Sequence, residues 1–204
     1  MRRTETNLSI CVGVFATMLV ISNVLASKVI ALGPFELPAA VVAYPLTFLM
    51  TDVIGEIWGK DAANKTVRIG ILCQVMSLVG ISIAIALPPA IYMADFQFQY
   101  EAVLGSTWRM VFASLLAYIC SQTWDVFIFH AFKARDEGAR KWARNNISTM
   151  TAQMIDTAIF ITIAFWGVVP DIGLMIISQY VVKLIIALCD TPFFYLLTRE
   201  EGKP

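Results

Sequence analysis

Charge is scarce in this chain of 204 residues: Asp, Glu, Lys and Arg make up only 15% of it, whereas 58% of the residues are hydrophobic. A soluble domain of this length rarely contains so high a fraction of hydrophobic residues. The composition therefore favours an all-α polytopic membrane protein with one domain over residues 1–204. The formal net charge is zero, so bulk charge gives no indication of a nucleic-acid partner.

The chain also has only one histidine and no closely spaced cysteines. The single histidine, His130, cannot build a histidine-based metal site, and it is better explained as a satisfied residue at the end of an apolar run. Four cysteines lie in separate apolar runs, which is typical of small buried hydrophobes rather than disulfides or metal ligands. We therefore expect no metal and no cofactor. The cysteines are Cys11, Cys73, Cys120 and Cys189.

Motifs of ATP hydrolysis and of intramembrane catalysis are missing as well. No G-x-x-x-x-G-K-[ST] is present, so the chain has no P-loop with which to hydrolyse ATP. The G-x-G-D motif of aspartyl intramembrane proteases and a G-x-S-x-G-like turn are also absent. An intramembrane aspartyl enzyme is nevertheless kept as one rival class of function, because Asp residues lie on several predicted helices. A purely structural membrane subunit is a third class. We expect no catalytic residues.

Long apolar runs are what the sequence does contain, and six are long enough for a membrane helix, which needs about 20 residues. The first is too long for a typical signal peptide and is predicted to stay uncleaved. The second holds Pro45 near its middle, which predicts a kink there. The predicted spans are 8–32, 37–58, 67–89, 108–132, 147–169 and 173–197.

Lysine and arginine gather on one side of these spans, which predicts that both termini are cytoplasmic. Arg109 is the one basic residue at a boundary on the other side. Lys28 could snorkel from the end of its span, whereas Lys183 lies too near mid-span to do so. The basic residues of the cytoplasmic side are Arg2, Arg3, Lys60, Lys65, Arg68, Lys133, Arg135, Arg140, Lys141, Arg144, Arg199 and Lys203.

Acidic side chains lie inside four of the predicted spans. Because a charge at the centre of a membrane helix costs roughly 2.5–3.5 kcal/mol, these carboxylates should face inward around a shared polar cavity. Helical spacing places them on faces that also carry amides and aromatic rings. The predicted substrate-binding residues are Asn23, Asp52, Glu56, Gln122, Asp125, Phe129, Gln153, Asp156, Phe160, Lys183 and Asp190.

Spans four and five share the pattern Q-x-x-D-x-x-I-F, at 122–129 and at 153–160. An inverted repeat would explain this match, and so would chance in apolar sequence of low diversity. A carboxylate accepts two parallel N–H donors, an amide both donates and accepts, and aromatic rings stack. Together these groups suit a planar heterocycle with a guanine-like edge.

The segment YPLTFLMTDVIGEIWGKDAANKTVRIG at 44–70 resembles the P-L-x-F-x-x-T-D-x-x-x-E-x-x-G-x-x-A signature of the queuosine precursor transporter family. Residues 145–167 and 180–197 resemble later motifs of that family, and 26–33 does so more weakly. The resemblance implies a six-helix inner-membrane importer of 7-deazaguanine precursors of queuosine, similar in fold to vitamin-uptake S-components. It also implies characteristic polar positions at Asp52, Glu56, Gln153, Asp156, Lys183 and Asp190.

Small residues on the first helix bear on whether an ATPase module docks, and one acidic pair bears on the energy source. S-components dock an ATPase module through A-x-x-x-A on the first helix, but Val20 and Ile30 follow Ala16 and Ala26 here. This favours an independent secondary carrier, with substrate and lipid as its partners and its oligomeric state open. Asp52 and Glu56 would repel each other if both were ionised, so proton coupling at this pair is a hypothesis.

Overall fold

A computed structural model describes residues 1–135 and 141–198 of the chain. Most of these residues are helical, and one short β-hairpin separates the first two helices. Single 3-10 turns precede α2 and α4. The elements are α1 (Glu5–Leu25), β1 (Val29–Leu32), β2 (Phe35–Pro38), α2 (Tyr44–Trp58), α3 (Lys60–Ala86), α4 (Ala94–Leu104), α5 (Thr107–Arg135), α6 (Lys141–Phe165) and α7 (Ile172–Thr198).

Three helical segments within the described residues are long and apolar enough to cross a membrane: Glu5–Leu25, Lys60–Ala86 and Ile91–Ser121. Met150–Phe165 and Ile172–Ile186 are shorter apolar helices. Predicted spans four to six coincide with α5, α6 and α7 to within a few residues, except that α6 begins earlier, at Lys141. The helix α4 was not predicted from the sequence.

The predicted extent of span one, 8–32, is wrong, because α1 ends at Leu25 and a hairpin follows. Strands β1 and β2 pair antiparallel, with Leu32 opposite Phe35 across a turn of Gly33 and Pro34. Gly33 has a φ of 63°, a left-handed conformation that glycine adopts without steric cost. Apolar and β-branched residues suit a strand as well as a membrane helix, so hydropathy alone extended the span too far.

The second span was also predicted to begin too early, at residue 37 instead of at Tyr44. Pro45 therefore lies in the first turn of α2, where its missing N–H breaks no helical hydrogen bond. The kink predicted at Pro45 is wrong for this reason. The resulting helix of 15 residues is shorter than a typical membrane span.

Helix α3 is polar on its buried side and apolar on its exposed side, the reverse of a helix in a soluble protein. Its buried residues are Thr66, Gly70 and Gln74, which recur every four residues and form one face. Leu72 and Met76 are about 60% exposed on the other side (60% and 63%). Such an arrangement is stable where the surroundings are lipid and the interior is polar.

Two clusters of buried apolar residues hold the helices together. The N-terminal cluster belongs to α1 and α2, and residues of α3 pack against it; its members are Cys11, Phe15, Leu49, Met50, Val53 and Ile54. The C-terminal cluster joins α5, α6 and α7 to the segment between α1 and α2; its members are Ala26, Ala40, Met110, Ala113, Ala117, Phe160, Ile161, Ala164, Phe165 and Met175. The two clusters share no member.

Arg109, the basic residue at the sparsely charged side, ties α5 to the end of α6. Its Nε donates to the Ile163 carbonyl at 2.6 Å and a terminal nitrogen donates to the Trp166 carbonyl at 2.7 Å. Ile163 lies in the last turn of α6 and Trp166 directly follows that helix, where helical partners for the carbonyls run out. Arg109 therefore caps α6 with a positive charge.

We expect Arg109→Gln to destabilise the protein by about 1.5–3 kcal/mol, because hydrogen bonds from a charged donor are lost near a helix end. Thermal unfolding in detergent would measure this effect. Arg68→Gln is a suitable control, since Arg68 has no such bond among the described residues. Equal melting temperatures for the two variants would contradict the capping role.

Candidate functional site

A cavity of about 490 Å³ lies among α1, α2, α3, α5, α6 and α7. Its volume falls within the range of about 300–1,000 Å³ that is typical of small-molecule sites. The wall combines aromatic rings, amides, hydroxyls and one ion pair. Its residues include Phe15, Leu19, Tyr44, Thr47, Phe48, Thr51, Asn64, Gln74, Ser114, Tyr118, Ser121, Gln153, Asp156, Phe160 and Lys183.

The charged part of the wall is an ion pair between α6 and α7. Lys183 Nζ lies 2.9 Å from Asp156 Oδ2, and it also donates to Thr157 Oγ1 at 3.1 Å. The side chains are 14% (Lys183) and 27% (Asp156) exposed. Pairing within the cavity explains how a mid-span lysine is tolerated, since each charge offsets the desolvation of the other.

Aromatic rings of α2 lie beside this pair. Lys183 Nζ is 5.9 Å from the centre of the Tyr44 ring, within reach of a cation–π interaction. The rings of Tyr44 and Phe48 stack with centres 6.2 Å apart and planes inclined by 20°. Because Pro45 starts α2 at this point, these rings occupy its first two turns and line the cavity.

Another part of the wall comes from α3 and α1. Gln74 reaches the cavity from the buried face of α3 and is only 3% exposed. One turn earlier, Gly70 allows Phe15 and Leu19 of α1 to approach the α3 backbone closely. Both of these apolar side chains also line the cavity.

Several of the predicted site residues lie together in this cavity. Gln153, Asp156 and Phe160 line it from α6, and Lys183 lines it from α7. The common face that the spacing of these α6 residues predicted is therefore present. No three His, Cys, Asp or Glu side chains are grouped as a metal site in the residues that the structure describes. Recognition here would rest on the ion pair, the amides, the hydroxyls and the rings.

Asp52 and Glu56 are not brought to this cavity, although the sequence analysis expected them to face it. Both are exposed, and neither lines the cavity. The buried face of α2 is apolar, formed by Leu49, Met50, Val53 and Ile54, so the acids fall on its other side. The expectation of one cavity shared by all the acids is wrong for this pair.

Asn23 is buried, at 2% exposure, but it does not line the cavity either. Its amide nitrogen donates to the Leu19 carbonyl one turn earlier in α1, at 3.1 Å. The remaining predicted residues belong to α5 and α7, but their side chains lie outside the described part of the structure. These residues are Gln122, Asp125, Phe129 and Asp190.

Other lining residues were missed by the sequence analysis. Tyr44 is uncharged and directly precedes Pro45, and Gln74 stands in an apolar run without any acid beside it, so neither residue attracts notice in the sequence. The signal that could have found Gln74 is the spacing Thr66, Gly70, Gln74, which places small and polar residues on one face of an otherwise apolar helix.

Comparisons with known proteins identify the family of this chain. A family model described as "Putative vitamin uptake transporter" (Vut_1) matches residues 38–197. A Bacillus subtilis (strain 168) protein named "Probable queuosine precursor transporter" is 33% identical over 184 residues, covering 89% of this chain and 79% of that protein. No solved structure matches the chain significantly. The chain is therefore a multi-pass membrane transporter that belongs to the vitamin uptake transporter family Vut_1.

Proposed function

We propose that this transporter imports a 7-deazaguanine precursor of queuosine, such as 7-cyano-7-deazaguanine, and holds it in the cavity between the helices. The observation that carries the proposal is the Asp156–Lys183 pair in a cavity of about 490 Å³ that is also lined by amides and aromatic rings. The name of the Bacillus subtilis relative, a probable queuosine precursor transporter, supports this substrate class.

The chemistry of the wall suits a guanine-like edge. An ionised carboxylate offers about four lone-pair sites, so Asp156 can accept from Lys183 and still accept from the substrate's ring N–H and exocyclic N–H₂. Gln153 lies one turn before Asp156 and can pair with a neighbouring donor or acceptor. The rings of Tyr44 and Phe160 offer apolar faces to a flat heterocycle.

For the mode of transport, we propose an independent secondary carrier of six spans in the inner membrane, with both termini in the cytoplasm. The alternative is a binding subunit that needs a separate ATPase module, as S-components do. Proton coupling at Asp52 and Glu56 remains a hypothesis, supported by their spacing on α2. Uptake that ignores both the proton gradient and Asp52→Asn would exclude it.

The function is testable in a bacterium that can neither make nor import queuosine precursors. Expression of this chain together with 7-cyano-7-deazaguanine in the medium should restore queuosine in tRNA. Cells with the empty vector are the control, and mass spectrometry of tRNA nucleosides is the measurement. Absence of queuosine despite membrane-inserted protein would exclude import of this precursor.

Purified protein separates the remaining alternatives. A carrier reconstituted alone in liposomes should accumulate labelled precursor without any ATPase, whereas a binding subunit should bind it but leave the lumen empty. An intramembrane enzyme would convert the precursor into a product, and a structural subunit would neither bind nor alter it. Recovery of unaltered precursor from the lumen is the expected result.

A further inference from the structure

Gln74 carries a polar atom that has no hydrogen-bond partner in the part of the chain that the structure describes. Its side chain is 3% exposed, and no acceptor lies within hydrogen-bond distance of its Nε2 among the residues that the structure describes. A buried donor without an acceptor is costly to the folded state. Retaining such a group in an otherwise apolar helix is understandable where a ligand supplies the acceptor.

The position of Gln74 distinguishes it from other buried polar groups in the described chain. Asn23, Thr107, Ser178 and Gln179 also have an unpaired side-chain atom, but none of them lines the cavity. Thr66, on the same face of α3 as Gln74, satisfies its hydroxyl by donating to the Ala62 carbonyl at 2.9 Å. Of these groups, only the Gln74 amide combines burial, an unpaired donor and a place in the cavity wall.

The Asp156–Lys183 part of the wall offers a substrate few hydrogen-bond donors. A lysine ammonium has three N–H donors, and Lys183 directs two of them to Asp156 and Thr157. The carboxylate of Asp156 only accepts hydrogen bonds when ionised. A guanine-like substrate held there by its N–H groups would still present its ring carbonyl, an acceptor that a donor from another part of the wall can satisfy.

We propose that the side-chain amide of Gln74 donates a hydrogen bond to the ring carbonyl of the bound 7-deazaguanine. The inference rests on the proposed function. Helix α3 packs with the N-terminal cluster, whereas Asp156 belongs to the helices of the C-terminal cluster. A substrate bound in this way contacts both parts of the protein, and Gln74 contacts the carbonyl acceptor that neighbours the substrate's ring N–H.

The test is a binding titration of the full-length protein in detergent with 7-cyano-7-deazaguanine. Gln74→Met keeps the volume and removes the donor, so affinity should fall about tenfold or more. Gln179→Met is the matched control, because Gln179 is also buried, at 6% exposure, but does not line the cavity. We expect it to bind like the wild type.

A second ligand shows which atom Gln74 contacts. The 6-thioxo analogue keeps the ring N–H but replaces the carbonyl oxygen with sulfur, a weak acceptor. The wild type should bind this analogue about tenfold more weakly than the oxo compound, and Gln74→Met should bind both about equally. Ligand-free Gln74→Met should melt at or above the wild-type temperature, which a merely structural glutamine would not allow.

The outcomes separate this inference from the function on which it rests. Wild-type protein that binds no 7-deazaguanine would overturn both. Wild-type binding with an unchanged affinity in Gln74→Met would overturn the role of Gln74 alone. An equal oxo-to-thioxo penalty in wild type and Gln74→Met would show that Gln74 does not contact the carbonyl and would also overturn the inference.

Discussion

Replacing Asp156 with Asn should reduce uptake of 7-cyano-7-deazaguanine by about 100-fold or more, because two charge-assisted hydrogen bonds to the substrate are weakened together. The substitution also leaves Lys183 facing a neutral amide at 2.9 Å instead of a carboxylate. Since both side chains are partly exposed, at 14% and 27%, we expect only about 1–3 kcal/mol of destabilisation. Initial uptake rates in cells, normalised to protein in the membrane, would measure the first effect.

Lys183→Met and the double variant separate recognition from stability. Lys183→Met alone leaves the Asp156 carboxylate without its counter-ion and should be the least stable of the three. The double variant Asp156→Asn with Lys183→Met contains no unpaired charge, so its melting temperature should return towards that of the wild type. Its uptake should remain lost, because the acceptor for the substrate is still missing.

Asp171→Asn is the matched control for the carboxylate. Asp171 is exposed, lies outside the cavity and accepts a hydrogen bond from the Leu174 backbone at 2.9 Å in the first turn of α7. Asn caps a helix about as well as Asp, so uptake and stability should both be preserved. Uptake at the wild-type rate in Asp156→Asn would instead assign that carboxylate to a structural network.

The predicted site residues that line the cavity lie on α6 and α7, and their role in binding stays a prediction. There, helical spacing and the cost of a charge inside a membrane both apply: Asp156 and Lys183 each need a polar environment, and their helices follow one another in the chain and pack together. The face of Gln153, Asp156 and Phe160 follows from the helical period alone. Helical spacing and the cost of a charge are therefore sufficient where two consecutive long helices supply both members of an ion pair.

Asp52, Glu56 and Gln74 show where those rules are insufficient. The energetic cost of a charge in lipid predicts that an acidic side chain avoids lipid, but it does not predict which polar surroundings that side chain occupies. The buried face of α2 is mainly apolar, so its two acids lie on the other side of the helix. Gln74 is uncharged and has no acidic neighbour, so only the packing of α3 against α1 and α2 reveals its place in the cavity. These positions depend on contacts between distant parts of the chain.

The hairpin illustrates a different limit. Val29, Ile30 and Leu32 are as apolar as the residues of α1, so a hydropathy window includes them in the span. Backbone pairing with β2 and the Gly33 turn decide their conformation instead. Because β2 also packs against α7, the hairpin helps to set where α2 begins and hence where Tyr44 meets the cavity.

Gly70→Ala should have the largest effect on stability of any small substitution in α3. A Cβ atom at this position would lie 2.5 Å from Phe15 Cε1 and 2.7 Å from Leu19 Cδ2, well inside van der Waals contact. Because Phe15 is only 5% exposed, its ring has little room to move except into the cavity. We expect a loss of about 1–3 kcal/mol from this overpacking, together with weaker uptake.

Gly80→Ala provides the comparison within the same helix. Beyond the helix's own backbone, no atom of the described residues lies within 4 Å of the place that a Cβ at Gly80 would take, so the substitution should gain up to about 1 kcal/mol from helix propensity. Combining Gly70→Ala with Phe15→Leu removes the closer of the two clashes and should recover part of the stability. Thermal unfolding in detergent and uptake in cells give both readouts. If Gly70→Ala unfolds at the same temperature as Gly80→Ala, then α1 and α3 are not packed as closely as the cavity wall requires.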